Sequence, residues 1–219
     1  MKKILNVGSG PGAAQRLSPI VDNHGWEEVR FDIDPAVKPD VQGSISDLTM
    51  HFGENSFDGV WSSHVLEHLY AHEVFPALSR FHQVLRPSGF AIILCPDVTA
   101  VAKFIIEKGL TAVAYKSPAG PIRPLDMLYG HSRAIENGRL AMAHRTGFSA
   151  QRLGNLLRMA GFGKILVRAM NFELRALALM PDADAEAVRA ELAPLNLDFE
   201  SGSIAPAGRE LEESATARP

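Results

Sequence analysis

Short apolar runs recur along the first half of the chain, and each is closed by turn-forming residues. Ile4-Leu5-Asn6-Val7 leads into Gly8-Ser9-Gly10-Pro11-Gly12, and residues 13–17 are helix-compatible. This order predicts a strand, a glycine turn and a helix. Residues 27–31 predict a second strand, closed by Asp32-Ile33-Asp34-Pro35. Residues 40–43 predict a short third strand, and residues 57–61 a fourth. Between Ala71 and Leu85, the residues Val74, Leu78, Phe81 and Leu85 fall at helical spacing, and Arg86-Pro87-Ser88-Gly89 is expected to stop that helix. Phe90-Ala91-Ile92-Ile93-Leu94 is apolar without a break, as expected of a strand buried on both faces.

The rhythm changes after Pro96. Residues 97–147 form an insert rich in Pro, Gly, Arg and His, with one helix expected over 98–108. Ser149 is placed to cap a helix that runs to Ala160 and ends at Gly161. Two extended runs follow, 164–168 and 173–179. The link between them is too short to cross a sheet, so they should pair antiparallel. An acidic stretch after Pro181 predicts a helix through Leu192, and residues 201–219 have little to bury and are expected to be mobile. Strands alternating with helices imply βαβ units in a mostly parallel α/β sheet.

A strand that ends in glycine and feeds a helix lets backbone approach a ligand at the sheet's carboxyl edge. Asp32, 22 residues after Gly10, ends the next strand, where a carboxylate can accept hydrogen bonds from both hydroxyls of a ribose. A dinucleotide fingerprint would need glycines at the first, third and sixth positions. Those are Gly8, Gly10 and Ala13, so the third fails. Pro11 also removes a backbone donor that a pyrophosphate would use. The loop therefore favours a nucleoside without phosphates over a nicotinamide dinucleotide.

Four segments together carry a resemblance. Leu5 to Gly12, Arg30-Phe31-Asp32-Ile33-Asp34-Pro35, Ser56-Phe57-Asp58-Gly59-Val60-Trp61-Ser62-Ser63-His64-Val65-Leu66-Glu67-His68 and Leu85-Arg86-Pro87-Ser88-Gly89-Phe90 resemble successive motifs of the class I S-adenosylmethionine-dependent methyltransferases. The resemblance implies a doubly wound, mostly parallel seven-stranded sheet with one antiparallel strand near the C-terminus. It makes residues 1–180 the methyltransferase domain, with 97–147 as a lid-like insert and 181–219 as an acidic C-terminal segment. It also implies S-adenosylmethionine as cofactor. Gly8 and Gly10 would contact its methionine part, with Val7 and Ser9 beside them. Asp32 would bind the ribose, and Ile33 would pack on the adenine. Ser44 stands where many members have an adenine-binding Asp, so backbone at Ile45, or Asp47, could serve instead. Ser62, Ser63 and His64 would face the sulfonium.

The formal charge of −3 hides an asymmetry, because residues 181–219 carry nine acidic and three basic side chains, leaving 1–180 at +3. That is too mild for a nucleic-acid grip, and neither such a partner nor a membrane surface is expected. No apolar run reaches the roughly 18 residues of a spanning helix, and no export signal is read at Met1-Lys2-Lys3. With Cys95 as the single cysteine, a cytoplasmic location is expected. His64 and His68 flank Glu67 at i, i+4, which superficially suggests a metal face on one helix. The order is not His-Glu-x-x-His, and no metal is expected. His131, Arg133, His144 and Arg145 are candidates to bind an anionic or polyhydroxylated small acceptor, with His64, His131 or His144 acting in catalysis. Oxygen is the favoured acceptor atom. A nicotinamide oxidoreductase and a non-catalytic cofactor-binding regulator are the competing readings.

Overall fold

The computed structural model describes residues 1–11, 17–22, 25–118, 120–197 and 199. Part of the helix expected over 13–17, and the tail 201–219, lie outside the described residues. Nine strands are described: β1 Lys2–Val7, β2 Trp26–Asp32, β3 Val41–Gln42, β4 Phe57–Ser63, β5 Leu85–Pro96, β6 Tyr115–Ser117, β7 Gly120–Ile122, β8 Lys164–Met170 and β9 Glu173–Leu179. The helices are α1 Ser18–Val21, α2 Leu48–His51, α3 Ala71–Val84, α4 Val98–Lys108, α5 Pro124–Tyr129, α6 Ser132–Glu136, α7 Ala150–Met159 and α8 Ala185–Leu192.

Seven strands form one sheet in the order β3-β2-β1-β4-β5-β9-β8, and β6 and β7 form a separate hairpin. Strands β3 to β5 are parallel, whereas β9 runs antiparallel to both β5 and β8. Reversal at β9 follows from the short turn after Met170, which cannot span a crossover. The reversal fixes the site. It sets Glu173, the first residue of β9, opposite Pro96, the last residue of β5, at the sheet's carboxyl edge.

Alternation along the central strands sends apolar side chains to both faces. Leu5, Val7, Val60, Ala91 and Ile93 join a core with α3 and α7, while Ile4, Trp61, Ile92 and Leu94 join a second core with Ile20 of α1 and Val188 and Leu192 of α8. Burying Leu192, which is 2% exposed, contributes about 2 kcal/mol. The helix stop expected at Arg86–Gly89 is present, since α3 ends at Val84, but the strand expected from Phe90 starts earlier. Strand β5 begins at Leu85 and passes through these residues, with a register shift between its pairings at Phe57 and Gly59. Gly89 is needed there, because a Cβ would lie 2.9 Å from the Asp58 carbonyl oxygen. Ser149 accepts from the Arg152 N–H and caps α7, and Gly161, at φ +102°, ends the turn beyond it.

Candidate active site

The loop after β1 is held by its neighbours at the carboxyl edge. Gly8 and Gly10 have φ of +62° and +60°, a left-handed backbone that glycine adopts without steric cost. The Gly10 N–H donates to Asp32 Oδ2 at 2.8 Å, and the Asp34 N–H donates to Asp32 Oδ1 at 2.9 Å. Arg30 Nη2 donates to the Gly10 carbonyl at 2.6 Å and to the Val37 carbonyl at 3.0 Å, tying the loop to the turn after β2. Each Asp32 oxygen has accepted one bond and keeps a further lone pair. A Cβ on Gly10 would meet open space, whereas a Cβ on Gly8 would lie 2.3 Å from Val65 Cγ2. The loop therefore presents bare backbone to a ligand on one side and packs on Val65 on the other.

Beyond the carboxyl ends of β4 and β5 lies a cavity of about 690 Å³, within the range of small-molecule sites. Its lining draws from the turn after β4, from β5, β9 and the insert, including His64, Glu67, His131, His144, Glu173 and Arg175. His64 sits at φ +56° just beyond β4, where the chain turns into the short 3-10 turn Leu66–His68. That turn points the imidazole between two carboxylates. Nδ1 donates to Glu67 Oε1 at 3.1 Å, and Nε2 lies 3.2 Å from Glu173 Oε2. Desolvation by the cavity walls opposes a charge on this ring, but the bonds to Glu173 and Glu67 outweigh it and raise its pKa to about 9. Glu173 is partly buried, which pushes its pKa up, but His64 and Arg175 pull it down to about 2. At neutral pH the trio is an imidazolium between two carboxylates.

His144 is held differently. Its Nδ1 donates to the Met127 carbonyl at 2.9 Å, and burial lowers its pKa, so the ring is neutral near pH 7. His68 Nδ1 donates to the Ala143 carbonyl at 3.2 Å, and the two rings meet edge to face with centroids 5.0 Å apart. The Glu67 carbonyl accepts from the backbone N–H groups of Arg145 and Thr146, at 2.8 and 3.3 Å. The insert is thereby buttoned onto the turn after β4.

Residues 5–93 match a family model described as a methyltransferase domain. Over this stretch, somewhat under half of the chain, the sequence is that of a methyltransferase domain. S-adenosylmethionine is the methyl donor of this domain class. The fold is also shared with solved structures. A SAM dependent methyltransferase from Archaeoglobus fulgidus is 15% identical with a TM-score of 0.54, over 81% of this chain and 86% of that one. The PH0226 protein from Pyrococcus horikoshii OT3 is 16% identical with a TM-score of 0.54, over 82% of each chain. A 1,6-didemethyltoxoflavin-N1-methyltransferase from Burkholderia thailandensis, with bound 1,6-didemethyltoxoflavin and S-adenosylhomocysteine, is 19% identical with a TM-score of 0.50, over 84% of this chain and 72% of that one. No curated protein matches the sequence. The domain match and the strand order, with its one reversed strand, leave the nicotinamide reading without support.

Within the methyltransferase domain, Val7, Gly8, Ser9, Gly10 and Asp32 gather at one end of β1 and β2. Ile33 beside them is 61% exposed, free to cover a flat ring. Ser44 spends its hydroxyl accepting from the Ser46 N–H, and Ile45 is 7% exposed. Ser62 is fully buried and its hydroxyl has no partner among the described residues, while Ser63 is partly exposed. His131 and His144 line the cavity. Arg145 has a structural post, since it donates to the His68 carbonyl at 3.0 Å and lies over Tyr70 at 4.9 Å. Arg133 is exposed on α6 and is not among the cavity's lining residues. His64 and His68 do not share a helix face, because the turn between them is left-handed at His64 and 3-10 beyond it. Sequence reasoning passed over Glu67 and Glu173. Glu67 offered one signal, a carboxylate amid Val65, Leu66 and Leu69, and it is 1% exposed. Glu173 offered none, lying 109 positions from His64.

The contact between Gly8 and Val65 gives a direct test. Gly8→Ala is expected to cost about 2–4 kcal/mol from backbone strain and overpacking, lowering Tm by roughly 5–15 °C in a chain of this size. Adding Val65→Ala should recover the overpacking part and leave the strain. Calorimetric melting of the two variants checks both halves of this expectation.

Proposed function

We propose that the domain transfers a methyl group from S-adenosylmethionine to an oxygen of a small polyhydroxylated acceptor held in the cavity beneath residues 97–147, which serve as its lid. The donor supplies a sulfonium whose departure as a neutral thioether drives an in-line displacement. The protein's work is then to hold, align and dry the reactants. Gly8 and Gly10 lie against the methionine end, Asp32 takes the ribose hydroxyls with its remaining lone pairs, and Ile33 covers the adenine. The buried hydroxyl of Ser62 and the exposed face of Ser63 stand at the end of β4, beside the reacting sulfur.

The observation that carries the acceptor reading is the cavity's charge. Glu67, Glu173 and Asp126 oppose Arg175 and the protonated His64, so the lining holds three negative charges against two positive. An anionic acceptor would meet no net attraction there. A neutral acceptor with several hydroxyls finds carboxylate acceptors and guanidinium donors instead. His64 is already protonated and both its nitrogens are engaged, so it holds the Glu67 and Glu173 carboxylates in place and does not act as base. Proton removal falls to His144, whose burial disfavours a charge, or to His131.

An acceptor panel read by release of S-adenosylhomocysteine tests this. Phenolic, sugar and polyol acceptors should turn over, and matched carboxylic acids should not. Turnover confined to acids, or to amines lacking hydroxyls, would sink the reading. Loss of His131 or His144 should lower kcat with little change in S-adenosylhomocysteine affinity.

A further inference from the structure

We infer that Glu67, His68 and His144 form a binding site for a divalent first-row transition-metal ion of the zinc, cobalt or manganese class. The site goes beyond the methyl-transfer reading and stands on its own geometry. One ligating atom from each of the three side chains lies within 4.8 Å of the other two. Donors sharing an ion at about 2.0–2.2 Å sit roughly 3–4 Å from one another. Small side-chain adjustments therefore bring all three onto a common centre.

Three independent features point to a cation and not to a chance cluster. The first is the orphaned oxygen. Glu67 is 1% exposed, its Oε1 accepts from His64, and its Oε2 is buried with no partner among the described residues. A buried carboxylate oxygen without a donor is costly, and a cation answers it. The second is the orientation of the rings. Both imidazoles donate Nδ1–H to backbone carbonyls, His68 to Ala143 and His144 to Met127. That fixes the tautomer and leaves each Nε2 with a free lone pair, the arrangement in which a carbonyl behind the ring orients a metal-binding histidine. The third is the donor set. Two imidazoles and one carboxylate match borderline transition metals better than calcium or magnesium, and three protein ligands leave positions open to water or an acceptor oxygen.

The site also joins two parts of the fold that the Arg145–Glu67 and His68–Ala143 hydrogen bonds already hold together. Glu67 and His68 come from the turn after β4, and His144 comes from the far end of the insert. An ion there would close residues 97–147 over the cavity and occupy Nε2 of His144. His131 would then be the imidazole left to take a proton.

Untagged full-length protein, stripped with a chelator and titrated with Co²⁺, gives a readout separate from methyl transfer. The expected result is one equivalent bound, with visible d–d bands of a low-coordinate nitrogen–oxygen site that Zn²⁺ displaces. His144→Ala and Glu67→Gln should each weaken binding on the order of 100-fold, as loss of a ligand does when even an outer-shell change costs 10–100-fold. His72→Ala, which removes an exposed ring stacked on Tyr70, should leave binding unchanged. The wild-type titration needs no variant to fold, and absence of Co²⁺ bands there overturns the site. Bands that persist undiminished in both His144→Ala and Glu67→Gln overturn it as well. S-adenosylhomocysteine titrated in parallel should bind with or without the metal, so failure of the metal site and failure of the methyltransferase reading are told apart.

Discussion

Asp32→Ala is expected to bind S-adenosylhomocysteine at least about 100-fold more weakly than the unaltered chain. The carboxylate has two duties at one place. It accepts the Gly10 and Asp34 backbone N–H groups, which shapes the loop, and it keeps lone pairs for the ribose. Hydrogen bonds to a charged group contribute about 1.5–3 kcal/mol each, and two lost to the nucleoside exceed a hundredfold in Kd. Asp34→Ala is the control, because that carboxylate accepts from the Ala36 N–H and caps only the local turn. Calorimetric titration of both variants should separate them by tenfold or more. Equal affinity for the product nucleoside in Asp32→Ala and the parent would remove the nucleoside pocket, and with it the account of the loop.

Gly130→Ala is expected to lower acceptor turnover on the order of 100-fold while leaving nucleoside affinity within about threefold. Gly130 ends α5 at φ +96°, ψ 161°, a region open essentially to glycine alone, and a Cβ there would lie 2.1 Å from the Met142 carbonyl oxygen. The contact is backbone against backbone, so no side chain can swing aside to relieve it. Strain of about 1–3 kcal/mol adds to the displacement of residues 142–144. His144 is bound to that segment, its N–H donating to the Tyr129 carbonyl at 3.1 Å. Moving a positioned group by an ångström costs on the order of 100-fold in rate. The loop at β1 and the carboxylate at β2 touch none of these residues. Steady-state kinetics and product titration on one preparation decide the matter, and normal turnover in Gly130→Ala would show that the insert is not the acceptor's wall.

How much of this was legible in the sequence differs sharply between the two ends of the chain. The parallel strands announced themselves, because a strand buried on both faces must be apolar at every position, as Phe90 to Leu94 are. The helix over 98–108 matched its expected bounds, with Asp97 capping it through the Thr99 N–H. The reversal at β9 followed from the length of a turn. By contrast, α5, α6 and the β6–β7 hairpin were not read within the insert. They are six residues long or fewer, too short to repeat a period, and they are held by backbone contacts such as Ala114 to Ile122. The nucleoside end was readable because its determinants are local: glycines, then a carboxylate after the next strand. The acceptor end was only partly readable. His64, His131 and His144 were named as polar residues at a sheet edge, but what they do depends on partners chosen by tertiary contact. Glu67 became a partner for His64 only through a left-handed turn, and Glu173 only through strand order. Arg145, named as a ligand-binding cation, also clamps the turn after β4, a role that no local pattern could show.

The placement of Glu173 opposite Pro96 has a consequence for assembly. The nucleoside cradle draws on residues within the first third of the polypeptide, so its parts are neighbours in time as well as in space during synthesis. The acid that braces His64 arrives only when the last strand slots between two others that have already been made, closing a long loop whose entropy must be met in one step. Recognition of the donor thus matures early, and competence to modify anything is withheld until nearly the whole polypeptide has folded.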